Sequence, residues 1–244
     1  MLNENALQFL TFKIFHQLNF FETYKIPLEN MVNFTGELTL GYFKDNPYHN
    51  VTHILDSMQG LHFLVRNGEL VKSVKKHDIL AAFIATIMHD YEHPGYSNQF
   101  IVRAKHPLAI RYSDISVLEN HHIAASFVIM YTYPKSNIIE NLEYNLQQET
   151  RTLIINTVLN SDISKHFTLL TELKTKLGNN FPAPDQNIED RTLILSITVR
   201  IVSTFKMVRD RNIFYKWMEK FFEEFYKQGE MEKNLELTIS KFMD

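Results

Sequence analysis

The sequence predicts an all-α protein folded as a compact multi-helix bundle. Only seven glycines and seven prolines occur in 244 residues, too few for the frequent turns of a strand-rich fold. Apolar residues recur at steps of three and four, which is the period of an amphipathic helix, and convincing period-two alternation is absent. At typical helix lengths, the chain would form about ten helices.

The helical pattern extends over most of the chain. Its apolar stripes are Leu7, Leu10, Ile14 and Leu18; Ile54, Met58, Leu61 and Val65; Leu193, Ile197 and Ile201; and Phe214, Trp217, Phe221 and Phe225. We interpret the aromatic stripe as core packing rather than as a cofactor site. Helix breaks are predicted near Gly36 and within 45–47, 67–68, 94–95, 134–136 and 177–189, where turn-forming residues occur.

Composition limits the classes of partner and chemistry. The formal net charge of −3 provides no basic excess, which argues against a nucleic-acid polymer as a partner. The chain has no cysteine, so disulfides, thiolate zinc sites and a cysteine nucleophile are excluded. Any metal must therefore be held by histidine, aspartate or glutamate.

The sequence predicts neither a signal peptide nor a membrane span. Residues 1–20 lack the basic start of a signal peptide. The longest mainly apolar run, 79–88, has about half the length that crosses a bilayer. We therefore expect a cytoplasmic protein in which residues 1–244 form a single domain.

Histidines are concentrated in one part of the chain, since nine of the eleven lie between positions 49 and 122. His49 and His53 are four residues apart, so on a helix they would share a face and could converge on one site. Alone, such a pair is better explained as part of a solvated helix face.

A second cluster follows the apolar run 79–88, which predicts a buried helix. His89 and Asp90 would lie at its end, where a carboxylate is costly unless it is paired or bound to a metal. His93 lies one helical turn further on, before Pro94 and Gly95 redirect the chain. We interpret the two clusters as metal-binding rather than structural.

Two later segments have simple structural explanations. Ser116 is typical of a helix N-cap with Glu119 as its capping-box partner. Asp162 is typical of a residue that caps another helix. By themselves these residues indicate no function.

Taken together, the four segments resemble the catalytic domain of class I 3′,5′-cyclic nucleotide phosphodiesterases. The matching positions are Tyr48, His49, Asn50 and His53; His89, Asp90, His93, Gly95, Asn98 and Phe100; and the segments 114–122 and 161–166. Trp217, Glu223, Glu224 and Gln228 are similar to the family's late helices, so the resemblance runs from about position 42 to 244.

The resemblance implies the family's helical catalytic fold and the hydrolysis of cAMP, cGMP or both to 5′-monophosphates by a metal-activated hydroxide. This reaction would place the chain in signal transduction. The implied cofactors are two divalent metals, Zn²⁺ at a tight site and Mg²⁺ or Mn²⁺ at a second site. The implied roles are metal ligation by His53, His89 and Asp90; retention of metal-bound water by His93, Glu119 and Asp162; general acid catalysis by His49; and substrate contact by Tyr48 and Asn98.

The chain departs from the family pattern in two places. Ser203 occupies the position of an aspartate that supplies the fourth protein ligand of the tight metal, and Lys206 replaces an asparagine of the same segment. Because serine is a poorer zinc ligand than a carboxylate, we expect weaker metal affinity. We also expect the purine-binding helices to be absent, since the family's further C-terminal segments have no counterpart here.

Two alternatives remain at this stage. The departures at Ser203, at Lys206 and in the nucleotide pocket are compatible with a catalytically impaired relative that acts as a binding or regulatory module. In such a protein, Lys206 would bring an ammonium near the vacated metal position. A broader His-Asp phosphohydrolase acting on another phosphoester would use the same clusters, but it needs the missing aspartate equally.

Overall fold

The computed structural model describes residues 5–68, 74–178 and 187–244. Within these ranges the secondary structure is helical and contains no strand, which confirms the all-α prediction. The α-helices there are α1 (Ala6–Gln17), α2 (Phe20–Thr23), α3 (Leu28–Gly41), α4 (Val51–Asn67), α5 (Lys76–Met88), α6 (Asn98–Arg103), α7 (Pro107–Arg111), α8 (Val117–Thr132), α9 (Tyr144–Leu159), α10 (His166–Gly178), α11 (Ile188–Ser203) and α12 (Arg211–Asn234). Two 3-10 helices, Ile163–Lys165 and Phe205–Val208, follow α9 and α11.

Helix α5 lies at the centre of the fold. All of its residues from Asp78 to Met88 are buried, which explains why this stretch is apolar without amphipathic alternation. Helices α4, α9 and α11 pack against it, and α11 also packs against α4 and α9. The prediction of a buried helix over 79–88 is therefore confirmed, and the end of this helix delivers the His89–Asp90 pair.

A buried ion cluster joins α5, α9 and α11. Nη1 of Arg191 donates to Oδ1 of Asp78 at 2.7 Å, and Nη2 pairs with Glu149. Asp78 is fully buried and also accepts the backbone N–H of Lys75 at 2.8 Å, which caps α5. His77 lies 3.1 Å from Glu149. The Arg191 guanidinium already supplies the cation that His77, Asp78 and Glu149 surround. We therefore interpret this cluster as a structural clamp rather than as a metal site.

Most of the predicted helix breaks are found. Helix α4 begins after 45–47 and ends at Asn67, and α8 ends at Thr132. The break near Gly36 is wrong, because α3 continues through it. A Cβ at Gly36 would lie 3.2 Å from the Gln8 side chain, so the glycine serves close packing of α3 on α1. The range 177–189 spans the end of α10 and the start of α11, but 179–186 lie outside the described residues.

Helix α12 carries the aromatic stripe. Trp217 is buried, whereas Phe214, Phe221 and Phe225 are only partly covered. Trp217 and Phe221 pack edge-on against Tyr48, at 5.6 and 5.1 Å between ring centroids. The aromatic stripe therefore lines the candidate site in addition to packing against the core. The sequence interpretation, which assigned it to core packing alone, missed the first of these roles.

Among the helices that the structure describes, none combines the length and hydrophobicity that a bilayer crossing requires. The main apolar core draws on helices from α1 to α11. A single domain over residues 1–244 stays a prediction.

Candidate active site

His49 lies just before the start of helix α4, and His53 lies in its first turn. Helix α4 begins at Val51, and Asn50 caps it by accepting the N–H of Thr52 at 2.9 Å. His49 therefore precedes the helix, and the predicted shared helix face is wrong. The two imidazole rings still lie 5.6 Å apart, because the chain enters α4 beside the site.

Asn46 joins the segment before α4 to the segment after α5. Its Nδ2 donates to the carbonyl oxygen of His49 at 3.1 Å and to that of His93 at 2.6 Å. The two histidine-bearing segments are therefore held together through their backbones. Sequence reasoning missed Asn46, although it lies in the predicted break 45–47.

The structure brings His53, His89 and Asp90 together at the end of α5. Their candidate ligand atoms all lie within 4.8 Å of one another. Oδ2 of Asp90 is 2.9 Å from Nε2 of His53 and 3.0 Å from Nε2 of His89. Both imidazoles are buried, and the Asp90 side chain is 14% exposed.

The state of His89 indicates that this group fits a cation. Its Nδ1 lies 2.8 Å from the carbonyl oxygen of Thr86, which can only accept, so Nδ1 carries the proton. Nε2 is buried, and no described residue gives it a well-formed hydrogen bond. A bare ring nitrogen beside the Asp90 carboxylate is an arrangement that a divalent cation stabilises.

Glu224 of α12 holds His49 in place. Its Oε2 accepts the backbone N–H groups of Tyr48 and His49, both at 3.0 Å, and Oε1 bonds to Nδ1 of His49. Burial alone would lower the pKa of His49, but Glu224 outweighs it and raises that pKa above its ordinary value. Burial likewise would raise the pKa of Glu224, but His49 and the two N–H groups lower it. The two side chains therefore form a charged pair near neutral pH.

Sequence reasoning quoted Glu224 for the resemblance but gave it no role. A signal was present, because Glu224 lies seven residues after Trp217 and so falls on the same helix face. Glu223, one position earlier, is exposed and pairs with Lys227 at 3.2 Å. A buried carboxylate beside an aromatic stripe requires a partner, and His49 is that partner.

Two imidazoles, those of His93 and His122, stack behind the ring of His49. The ring of His93 lies 3.9 Å from that of His49, and His122 lies 5.7 Å further behind. The N–H of Gly95 donates to Nδ1 of His93 at 3.0 Å, which leaves the proton on Nε2. Burial lowers the pKa of His93 well below its usual range and that of His122 to about 3, so both are neutral.

The capping prediction is wrong for Glu119 and confirmed for Asp162. Ser116 has a positive φ of 41° and its hydroxyl donates to Oδ2 of Asp162 at 2.7 Å, so the predicted capping box with Glu119 is wrong. Glu119 instead accepts from Nδ2 of Asn98 at 2.9 Å. Burial raises the pKa of Glu119 to about 7. Asp162 does cap a helix, since Oδ1 accepts the N–H of Ser164 at 2.9 Å.

Lys206 lies directly against the His53 ring. Its side chain is fully buried, and Nζ contacts Nδ1 of His53. Nζ also lies 4.5 Å from the ring centroid of Tyr48 and 4.7 Å from that of Trp217. Burial lowers the pKa of Lys206 to about 7.

Ser203 does not replace a carboxylate ligand. Its Oγ donates to the carbonyl oxygen of Arg200 at 2.9 Å, within its own helix. Arg200 in turn donates to the carbonyl oxygen of Asp162 at 2.9 Å, a positioning contact that the sequence did not indicate. In the described part of the chain, the cluster beside His53 therefore offers three candidate ligands, His53, His89 and Asp90.

Comparisons with known proteins agree on one family. The model of the 3′5′-cyclic nucleotide phosphodiesterase family matches residues 48–244. Two Caenorhabditis elegans proteins, a probable 3′,5′-cyclic phosphodiesterase and a probable 3′,5′-cyclic-AMP phosphodiesterase, are 33% and 31% identical over 98% of this chain. The chain spans only 35% and 36% of their lengths.

A solved structure gives the same relation. The phosphodiesterase domain of the RhoPDE fusion protein from the choanoflagellate Salpingoeca rosetta superposes with a TM-score of 0.92 at 26% identity. The match covers 99% of this chain and 75% of that one.

Proposed function

Because this chain belongs to the 3′,5′-cyclic nucleotide phosphodiesterase family, we propose that it hydrolyses cAMP, cGMP or both to 5′-nucleoside monophosphates. The observation that carries the proposal is the charged His49–Glu224 pair beside the three-ligand cluster of His53, His89 and Asp90. The His49 and His53 rings are 5.6 Å apart, so a proton donor lies beside a candidate cation site. Cleavage of a phosphodiester requires both.

Membership of the family implies the use of divalent metal. His53, His89 and Asp90 would hold Zn²⁺ at the tight site, and Asp90 would also take part in a second site for Mg²⁺ or Mn²⁺. Metal bound there would supply Lewis acidity and an activated water. We propose that His93, Glu119 and Asp162 would hold the water molecules of these metals.

His49 is the residue that supplies a proton. In the hydrolysis, an oxygen from water joins phosphorus and the bond from phosphorus to the 3′ oxygen breaks, so the departing oxygen needs a proton. Glu224 occupies Nδ1 of His49, which leaves Nε2 to donate. The carboxylate also stabilises the charged ring before the transfer, which keeps the acid loaded near neutral pH.

Tyr48 and Asn98 complete the proposed site. Tyr48 is 6% exposed and packs against the rings of His49, His53 and Trp217. Burial and nearby carboxylates raise its pKa, so the phenol stays protonated. Tyr48 and Asn98 stay our proposed substrate contacts, and Asn98 additionally orients Glu119.

Hydrolysis of both nucleotides by the purified chain, with Zn²⁺ and Mn²⁺ added, tests the proposal. His49→Ala should lower kcat by about 10²–10⁴-fold, the usual contribution of a general acid. His16→Ala, which removes an exposed imidazole on α1, should leave kcat unchanged. Turnover by the wild-type chain no faster than that of His49→Ala would reject the proposal.

A further inference from the structure

Lys206 is the buried cation of the site, and its surroundings are specific. It lies in the 3-10 helix Phe205–Val208, and the residue itself has no exposed surface. Its Nζ lies close to the rings of both Tyr48 and Trp217. Its Nζ meets Nδ1 of His53. The ammonium therefore contacts a proposed metal ligand on the side of the ring that faces away from Asp90.

The contacts of the two ring nitrogens of His53 fix which of them carries the proton. Nε2 of His53 is 2.9 Å from Oδ2 of Asp90, and an ionised carboxylate can only accept. His89 makes a similar contact with Asp90, but its Nδ1 faces the acceptor Thr86, whereas Nδ1 of His53 faces the donor Lys206, so in His53 the hydrogen lies on Nε2. A neutral imidazole has one N–H, so Nδ1 is the bare nitrogen and accepts from Lys206.

This is the opposite tautomer from that of His89. His89 donates from Nδ1 to Thr86 and presents a bare Nε2 beside Asp90, as ligation of a cation requires. For His53 to ligate through Nε2, its proton must move to Nδ1, where it meets the N–H groups of Lys206.

We propose that Lys206 is an internal competitor of the tight metal, which holds His53 in the non-ligating tautomer until the metal displaces this contact. The inference rests on the metal site of the proposed function. In the metal-free protein, Lys206 donates to Nδ1 of His53, and the Nε2–H on the other side of the ring donates to Asp90. Lys206 is thus a positioning residue, which acts on the metal through His53.

Zn²⁺ affinity of the metal-stripped protein, measured by competition with a chromophoric chelator, tests the competition. Lys206→Met keeps the length of the apolar stem but removes the N–H donors, and should bind Zn²⁺ at least about tenfold more tightly. Arg209→Met is the matched control, because it removes a cation three residues away that bonds to Asp56 at 2.9 Å. An equal gain in both variants, or none in Lys206→Met, would overturn the proposal.

A second measurement needs no substitution at Lys206. In ¹⁵N-histidine spectra of the metal-free wild-type protein, the His53 signals, assigned by their loss in His53→Gln, should report a protonated Nε2 and a bare Nδ1. A proton on Nδ1 would refute the inference even if the protein hydrolyses cyclic nucleotides. Failure of hydrolysis with the expected tautomer would count against the proposed function alone.

Discussion

Replacing Glu224 by glutamine tests the general-acid assignment most directly. The substitution keeps the shape of the side chain and one oxygen for the N–H groups of Tyr48 and His49, but removes the negative charge beside Nδ1. A hydrogen bond to a charged group contributes about 1.5–3 kcal/mol. If this stabilisation acts on the proton donor, kcat should fall by about 10–150-fold.

The pH profile gives a more specific signature. Since Glu224 raises the pKa of His49, Glu224→Gln should shift the alkaline limb of kcat/KM to lower pH. The assay is cyclic-nucleotide hydrolysis followed between pH 5.5 and about 9. Glu223→Gln, the exposed neighbour on α12, should leave both the rate and the profile unchanged. A Glu224→Gln variant with wild-type kcat at every pH would refute the assignment.

The same pair makes a prediction about stability. The raised pKa of His49 gives a contribution that is fully present below its ordinary value of 6.5 and is lost as pH rises through the folded value. The lowered pKa of Glu224 gives one that is present above 4.5 and is lost as pH falls through the folded value. The free energy of unfolding lost in Glu224→Gln should therefore be largest between pH 4.5 and 6.5. Urea unfolding at pH 5.5 and 9 would check it.

Three further substitutions test the metal site, the structural clamp around Arg191 and the turn at Gly95. Ser203→Asp should tighten Zn²⁺ binding by about tenfold or more in the chelator competition, since it restores an anionic group at the end of α11; unchanged affinity would contradict this. Arg191→Met should lower the free energy of unfolding by about 3–5 kcal/mol in urea, because it leaves Asp78 buried without its cation. Gly95→Ala should lower stability by about 1–3 kcal/mol and also kcat, because the residue has a φ of 80° and its Cβ would lie 2.9 Å from Oδ1 of Asn46. Wild-type stability of either variant would argue against the respective contact.

The sequence predicted the helical class and the main site segments for a physical reason. Helical period and the His89–Asp90 adjacency are local properties, and a helix end places such neighbours together whatever the rest of the fold does. The central position of α5 followed from its unbroken apolar run. His89 and Asp90 could therefore be named as candidate donors from local sequence, whereas the full set with His53 was implied by the family resemblance.

The missed contacts are ones that sequence spacing does not encode. Glu224 is 175 residues from His49, and Lys206 is 153 from His53. Ser116 adopts a left-handed conformation that non-glycine residues rarely use, so its hydroxyl faces Asp162 rather than its own helix. In each case tertiary packing decides between a local partner and a distant one.

The enclosure of α5 has a dynamic consequence. A helix covered on every side from Asp78 to Met88 cannot fray or unwind by itself, so its amide hydrogens should exchange with solvent only through global unfolding. His89 caps this helix and Asp90 is the next residue, so these two donors are attached to a rigid element. We therefore expect any rearrangement of the site to involve the His49 and Lys206 sides, while the Asp90 carboxylate stays in place.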